Sequence, residues 1–135
     1  MIDVERMKHV DYRRIKVQAI IMNGNHVLMV RPGQGCPWEL PGGEAEEGEI
    51  PEDALMRTVS EQTDLTVKVT KTLTREKDVH AHHRLILTFL TEPETLVYDP
   101  REHCREDLEV DWRSMRSPEM KEEVYDKHLK GKERQ

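Results

Sequence analysis

The sequence predicts an α/β (α+β) domain in which a mixed β-sheet is sandwiched between helices. Three observations carry this. Short runs rich in β-branched and aliphatic residues recur along the chain, a helical pattern begins abruptly at Pro51, and a second helical pattern closes the sequence from Pro118. Strands interrupted by one mid-chain helix and followed by another require two layers of helix on a sheet. The 135 residues suit one domain with one core. They are therefore read as a single domain, with 1–12 as an N-terminal segment and 129–135 as a fraying tail.

Each element has its own signal. Ile15–Met22 reads as a strand, Asn23-Gly24-Asn25 as a hairpin turn, and His26–Arg31 as the return strand. A Pro- and Gly-rich loop, residues 32–37, leads to Trp38-Glu39-Leu40-Pro41-Gly42-Gly43. Pro51 suits the first helical position, and Glu52 and Asp53 suit the positive end of the helix dipole. Leu55 and Val59 repeat at helical spacing and should face the core. Leu65–Val69, Arg84–Leu90 and Leu108–Trp112 read as further strands, and Pro118 to about His128 as the last helix.

Composition narrows the function. Hydrophobic and charged residues each make up 36% of the chain, so the core is lean and the surface strongly charged. A net charge of −6 argues against a protein that grips nucleic acid by its phosphates. No apolar stretch approaches the length of a membrane span, and the N-terminus has no signal-peptide pattern. Cys36 and Cys104 give no disulfide framework, so a reducing cytoplasm is the expected location. The basic run from Lys127 to Arg134 is read as a solvated helix end. His80, His82 and His83 are read as an exposed hairpin end.

The stretch from Gly42 to Leu65 carries the chemistry. It sets a glycine turn and four glutamates (Glu44, Glu46, Glu47 and Glu49) before a helix start. Unpaired N–H groups at a helix N-terminus suit a phosphate, and carboxylates beside a phosphate require a divalent cation between them. Acidic runs are more often plain solvated surface, and spacing decides here. Gly43 is followed after five residues by Glu49 and, after seven more, by Arg57-Thr58-Val59-Ser60-Glu61-Gln62-Thr63-Asp64-Leu65. This resembles the signature of the Nudix hydrolases, including the MutT-like proteins: glycine, five residues, glutamate, seven residues, then Arg-Glu-aliphatic-x-Glu-Glu-x-Gly-aliphatic. Trp38–Gly43 upstream and Val110-x-Trp112 downstream also resemble the family.

The resemblance implies a Nudix fold. It also implies a metal-dependent pyrophosphatase acting on a nucleoside diphosphate derivative or a nucleoside triphosphate, with Mg2+ or Mn2+ as cofactor. It assigns catalytic roles to Glu61, Arg57 and Glu49, and metal contacts to Glu61, the carbonyl of Gly43 and the side-chain oxygen of Gln62. Arg31 and Gly42 fall where phosphate is bound, and a further carboxylate facing the site is expected from a loop after the helix. The implied partner is a small nucleotide-type molecule rather than a membrane or nucleic acid, with Trp38, Tyr98 and Trp112 as the aromatic surfaces for a base. Family members are often homodimers.

This box is degenerate. Thr58 and Gln62 stand where the pattern has glutamates, and Asp64 stands where it has glycine. Positions 58, 61 and 62 share one helix face, whose formal charge falls from three to one. The resemblance therefore leaves a second expectation, a catalytically impaired nucleotide-binding or regulatory module. Metal dependence separates the two.

Overall fold

The computed structural model describes residues 14–78, 84–95 and 97–131. Its strands are β1 (Arg14–Asn23), β2 (His26–Arg31), β3 (Gly42–Glu44), β4 (Val67–Asp78), β5 (Arg84–Pro93) and β6 (Glu109–Ser114). They form one mixed sheet in the order β4-β5-β1-β2-β6, with β3 paired to β1 beside that path. Central β1 runs parallel to β5 from Arg14↔Arg84 to Ile21↔Thr91. Its other edge is shared: Lys16–Gln18 pair with β3, and Met22–Asn23 pair with β2. That division opens the sheet between β1 and β2 and makes room for the loop that returns to β3.

Alternation along the strands explains the layers. Val17, Ala19 and Ile21 of β1, with Leu28 and Val30 of β2, form one core with Ala54, Leu55 and Val59. Those three belong to helix α1, Pro51–Thr63. On the other face Ile20, Val27 and Met29 pack against Met120 and Val124 of the last helix. The sheet is thus covered by helix on both faces, as the sequence predicts. The last helix opens as α2, Pro118–Met120, capped by the Ser117 hydroxyl, and widens into π-helical turns over Lys121–Leu129. The wider turn is visible where Lys130 N–H donates to Tyr125 O at 2.7 Å.

Three expectations are corrected. The two-residue hairpin loop is Gly24-Asn25, because Asn23 still pairs with His26. Gly24 has φ 60° and Asn25 is not left-handed, the pattern of a turn that needs glycine first. The strand expected at Leu65–Val69 begins at Val67 and continues to Asp78, with register shifts at Val69/Lys71 and Thr72/Thr74. Those bulges interrupt the alternation from which a strand is read, and they protect an edge strand from pairing. His128, in the basic run read as solvated, is 2% exposed and its Nδ1 lies 2.7 Å from Thr74 Oγ1. The His80–His83 cluster and residues 1–12 and 132–135 lie outside the described residues.

Candidate functional site

The site is built where β3 meets helix α1. Gly42 has φ 152°, and a Cβ there would sit 2.0 Å from the carbonyl oxygen of Val17. Only glycine lets β3 lie so close to β1. The Gly42 N–H in turn donates to Gln62 Oε1 at 2.8 Å. Gly43 faces Thr58, whose Cγ2 would lie 3.0 Å from an added Cβ. Strand and helix therefore touch through two glycines and two of the positions at which this box departs from the family pattern.

The loop between them is held by Arg57. Its Nε and Nη2 donate to both oxygens of Glu49, each at 2.9 Å, and Nη1 donates to Glu61 at 3.0 Å. Nη2 also reaches the carbonyl of Glu44 at 3.2 Å. Glu49 closes its own turn by accepting from the N–H of Glu46 at 2.9 Å. Two parallel hydrogen bonds to one carboxylate give both orientation and strength. Of the residues expected in the site, Glu49, Arg57 and Glu61 are thus one connected unit. The Arg57 guanidinium, then the Glu46 N–H, hold the Glu49 carboxyl at about 2 instead of 4.5, against the opposing effect of burial. Glu49 and Glu61 push Arg57 further above its ordinary range.

This pair should be visible in acid. A carboxyl depressed in the folded state contributes its full stability above its unfolded pKa and loses it as pH falls towards the folded value. For Glu49 that window runs from about pH 4.5 down to about pH 2. In Glu49→Gln, stability should be lower at neutral pH and should fall less steeply across this window. Thermal unfolding at stepped pH measures it, and slopes equal to those of the parent chain would remove Glu49 from the account.

The rest of the helix face is quieter. Thr58 is 6% exposed, and its hydroxyl donates back to Ala54 O at 2.8 Å. Such back-bonding satisfies the hydroxyl within its own helix. Gln62 holds Gly42, and Glu61 is well exposed beside Arg57. Among the described residues no three His, Cys, Asp or Glu side chains are grouped to hold a metal ion. The donors that fit a hard cation are the Glu61 carboxylate and the Gly43 carbonyl. One carboxylate with a backbone oxygen suits an ion that brings phosphate oxygens of its own.

Arg31 belongs to a different set of partners. Its Nε donates to Glu109 at 2.6 Å across the β2–β6 register, and its guanidinium lies 4.3 Å from the Trp38 ring centre. Arg113 lies over the same ring at 5.0 Å. Glu39, beside Trp38, exchanges two backbone hydrogen bonds with Val30, at 2.8 and 2.7 Å. This seats the Trp38 loop on β2. It borders a cavity of about 230 Å³ that includes Lys16, Gln18, Trp38, Glu39, Lys127 and His128 in its lining.

Sequence reasoning missed a cluster at the helix end. Asp64 terminates α1 in the left-handed conformation, φ 64° and ψ 10°, the backbone for which the family pattern has glycine. Its Oδ2 lies 2.7 Å from Nδ1 of His103, and His103 stacks on Tyr98 with centroids 4.6 Å apart. Tyr98 donates its hydroxyl to Thr63 O at 2.6 Å. Burial, then the charge of Asp64, raises the Tyr98 phenol. Asp64 itself was the available signal, since aspartate tolerates this backbone and brings a carboxylate with it.

Comparison with known proteins agrees with this architecture. A comparison with curated proteins by sequence gives no match. Among solved structures the chain resembles an ADP-ribose pyrophosphatase from Streptococcus suis, with TM-score 0.62, 19% identity, and 77% of this chain and 75% of that one covered. It resembles a MutT from work on Aliivibrio salmonicida and Vibrio cholerae, with TM-score 0.59, 24% identity, and 76% and 79% covered. It also resembles a UDP-X diphosphatase, with TM-score 0.58, 19% identity and 85% of this chain covered, while spanning 61% of that protein's length. These likenesses establish the fold. The NUDIX domain model matches residues 12–131, nearly the whole sequence. With the glycine strand, the Arg57 clasp and the helix frame of the signature in place, the chain belongs to the Nudix family.

Proposed function

We propose that this protein is a cytoplasmic, metal-dependent Nudix hydrolase that cleaves a pyrophosphate bond in a nucleoside diphosphate derivative or a nucleoside triphosphate. The observation that carries the reading is the Arg57 clasp, which holds Glu49, Glu61 and the Glu44 carbonyl in one assembly. A solvated acidic surface has no use for a guanidinium that ties a loop to a helix in this way. Glu61 and the carbonyl of Gly43 would hold Mg2+ or Mn2+. A bound ion supplies neutralisation of the phosphate charge and a more acidic water.

The chain's own residues do the rest. Arg57 orients Glu61 and fixes the loop. Gln62 fixes β3 through Gly42, so a phosphate using that N–H must displace its amide. Arg31 reaches phosphate only with the groups that Glu109 does not hold. The cavity beside Trp38 offers Lys16 and Lys127 for the charged part of a substrate and Gln18 for hydrogen bonding. Trp38 itself is covered by guanidinium groups and Tyr98 by His103, so a base has few free aromatic faces.

A second reading, a nucleotide-binding or regulatory module with impaired catalysis, is favoured by Thr58 and Gln62. The hydroxyl of one and the amide oxygen of the other are both held inside the protein. One experiment separates the readings: phosphate release from a panel of nucleoside diphosphate derivatives and triphosphates, with Mg2+, with Mn2+ and with chelator. Glu61→Gln is expected to lower a metal-dependent rate by roughly 10²–10⁴-fold. Absence of turnover on every substrate, with nucleotide binding that survives chelator, would establish the binding module instead.

A further inference from the structure

The end of helix α1 carries a second polar group that faces the same helix side as Glu61. Asp64 and His103 are 39 positions apart, yet Oδ2 and Nδ1 meet at 2.7 Å. The imidazole is fixed from three directions. Asp64 holds its Nδ1, Tyr98 stacks on it at 13° between planes, and the turn Pro100–His103 is anchored by Asp99, which accepts from Arg101 N–H at 3.0 Å. Tyr98 is tied in turn to Thr63 O, next to Asp64 in the chain. So the loop and the helix end hold one ring between them.

That ring borders a cavity of about 160 Å³. Its other wall is Glu61 and Gln62, the charged and the β3-anchoring residues of the catalytic helix face. Of the six acidic residues from the end of β5 to the last residue before β6 (Glu92, Glu94, Asp99, Glu102, Glu106 and Asp107), only Glu102 lines this cavity. The cavity is therefore where the loop meets the helix face. A carboxylate on Nδ1 selects the tautomer with the proton on Nδ1, which leaves the lone pair of Nε2 for another group. The same carboxylate stabilises the imidazolium once a proton arrives. The other charged and titratable groups around the ring are Glu61 from the helix, Tyr98 and Asp99 from the approaching chain, the Arg101 guanidinium that pairs with Asp99, and Glu102, Cys104 and Arg105 from its own turn.

We propose that His103, oriented by Asp64, is the proton acceptor for the attacking water. The inference rests on the hydrolase reading. Water oxygen forms a bond to phosphorus and gives its proton to Nε2. The bridging P–O bond breaks with its electron pair on the departing phosphate, and Nε2 later releases the proton to solvent. Two features of this chain thereby acquire one explanation: the glycine-to-aspartate departure at 64, and a histidine held against a helix face depleted of carboxylates.

The test uses the full chain on whichever substrate the parent protein turns over. His103→Asn keeps a side-chain N–H for Asp64 but cannot accept a proton. It should lower kcat by roughly 10²–10⁴-fold with little change in KM, and should abolish the acid limb of the kcat/KM profile. In His103→Ala, added imidazole should restore part of the lost rate. Asp64→Asn, which the left-handed backbone accepts, should lower kcat and leave KM alone even if the His103 variants fold poorly. A structural tie predicts otherwise: near-parental kcat in His103→Asn and Asp64→Asn, an intact acid limb, and no response to imidazole. That outcome overturns the assignment of His103 while leaving the hydrolase standing. A parent chain that turns over nothing overturns both.

Discussion

Gly42→Ala should unfold the site before any chemistry is lost. The added methyl would lie 2.0 Å from Val17 O and 2.8 Å from Gln18 Cα, and both are backbone atoms of the central strand. Neither can rotate away, so β3 must leave β1. The left-handed φ adds its own penalty. Together these should cost about 3 kcal/mol or more, roughly 10 °C in Tm for a chain of this size. The displaced strand also breaks the Gly42–Gln62 bond and moves the Gly43 carbonyl, so hydrolysis should fall further than stability alone would dictate. Gly48→Ala is the control: its φ is 81°, but nothing lies within 4 Å of the new methyl. It should show only the conformational penalty, about 1 kcal/mol. Equal Tm losses in the two variants would mean that β3 has no fixed seat on β1, and the site described above would lose its floor.

How much of this was legible in the sequence depends on how local each signal is. The helix at Pro51 and its Leu55 and Val59 face were readable because proline, acidic residues and apolar spacing all fall within a few turns. Glu49 and Arg57 could be paired because the spacing of a known signature carried them, and the structure brings them to 2.9 Å. The length of β4 was not readable, since its bulges break the period of two and its exposed threonines and lysines lack an apolar face. The turn was read as Asn23-Gly24-Asn25 because Asn-Gly and Gly-Asn both suit a hairpin, and only the register shows that Asn23 stays in the strand. The Asp64–His103 contact was beyond reach for a different reason: 39 residues separate the partners, and no local pattern encodes their meeting. Thr58 and Gln62 were readable as lost charges, whereas their new attachments, to Ala54 O and Gly42 N–H, are tertiary facts.

Those attachments decide what happens when the missing carboxylates are put back. Thr58→Glu combined with Gln62→Glu should yield a protein that is less stable than its parent without metal and regains that loss in Mg2+. At position 62 the exchange is nearly isosteric. One carboxylate oxygen can still accept from Gly42 N–H, as Gln62 does at 2.8 Å, and the other adds charge. Position 58 is different, because a buried hydroxyl satisfied by Ala54 O is replaced by a carboxylate. Arg57, the nearest cation in sequence, is already engaged by Glu49 and Glu61. An unpaired charge at so buried a position should cost about 2 kcal/mol or more. A divalent cation relieves it, and at a hundred times its Kd contributes roughly 2.7 kcal/mol to the folded state. The Mg2+-induced rise in Tm should therefore exceed that of the parent by roughly 5–10 °C. Thr58→Gln with Gln62 unchanged supplies similar bulk without charge, and should lose stability that Mg2+ does not return. If the double variant and the parent respond equally to Mg2+, the face of Thr58, Glu61 and Gln62 is not where a cation sits, and the metal assignment at Glu61 fails with it. If the double variant binds Mg2+ more tightly and turns substrate over faster, the two departures in the box are what limit this enzyme, and its frame is otherwise complete.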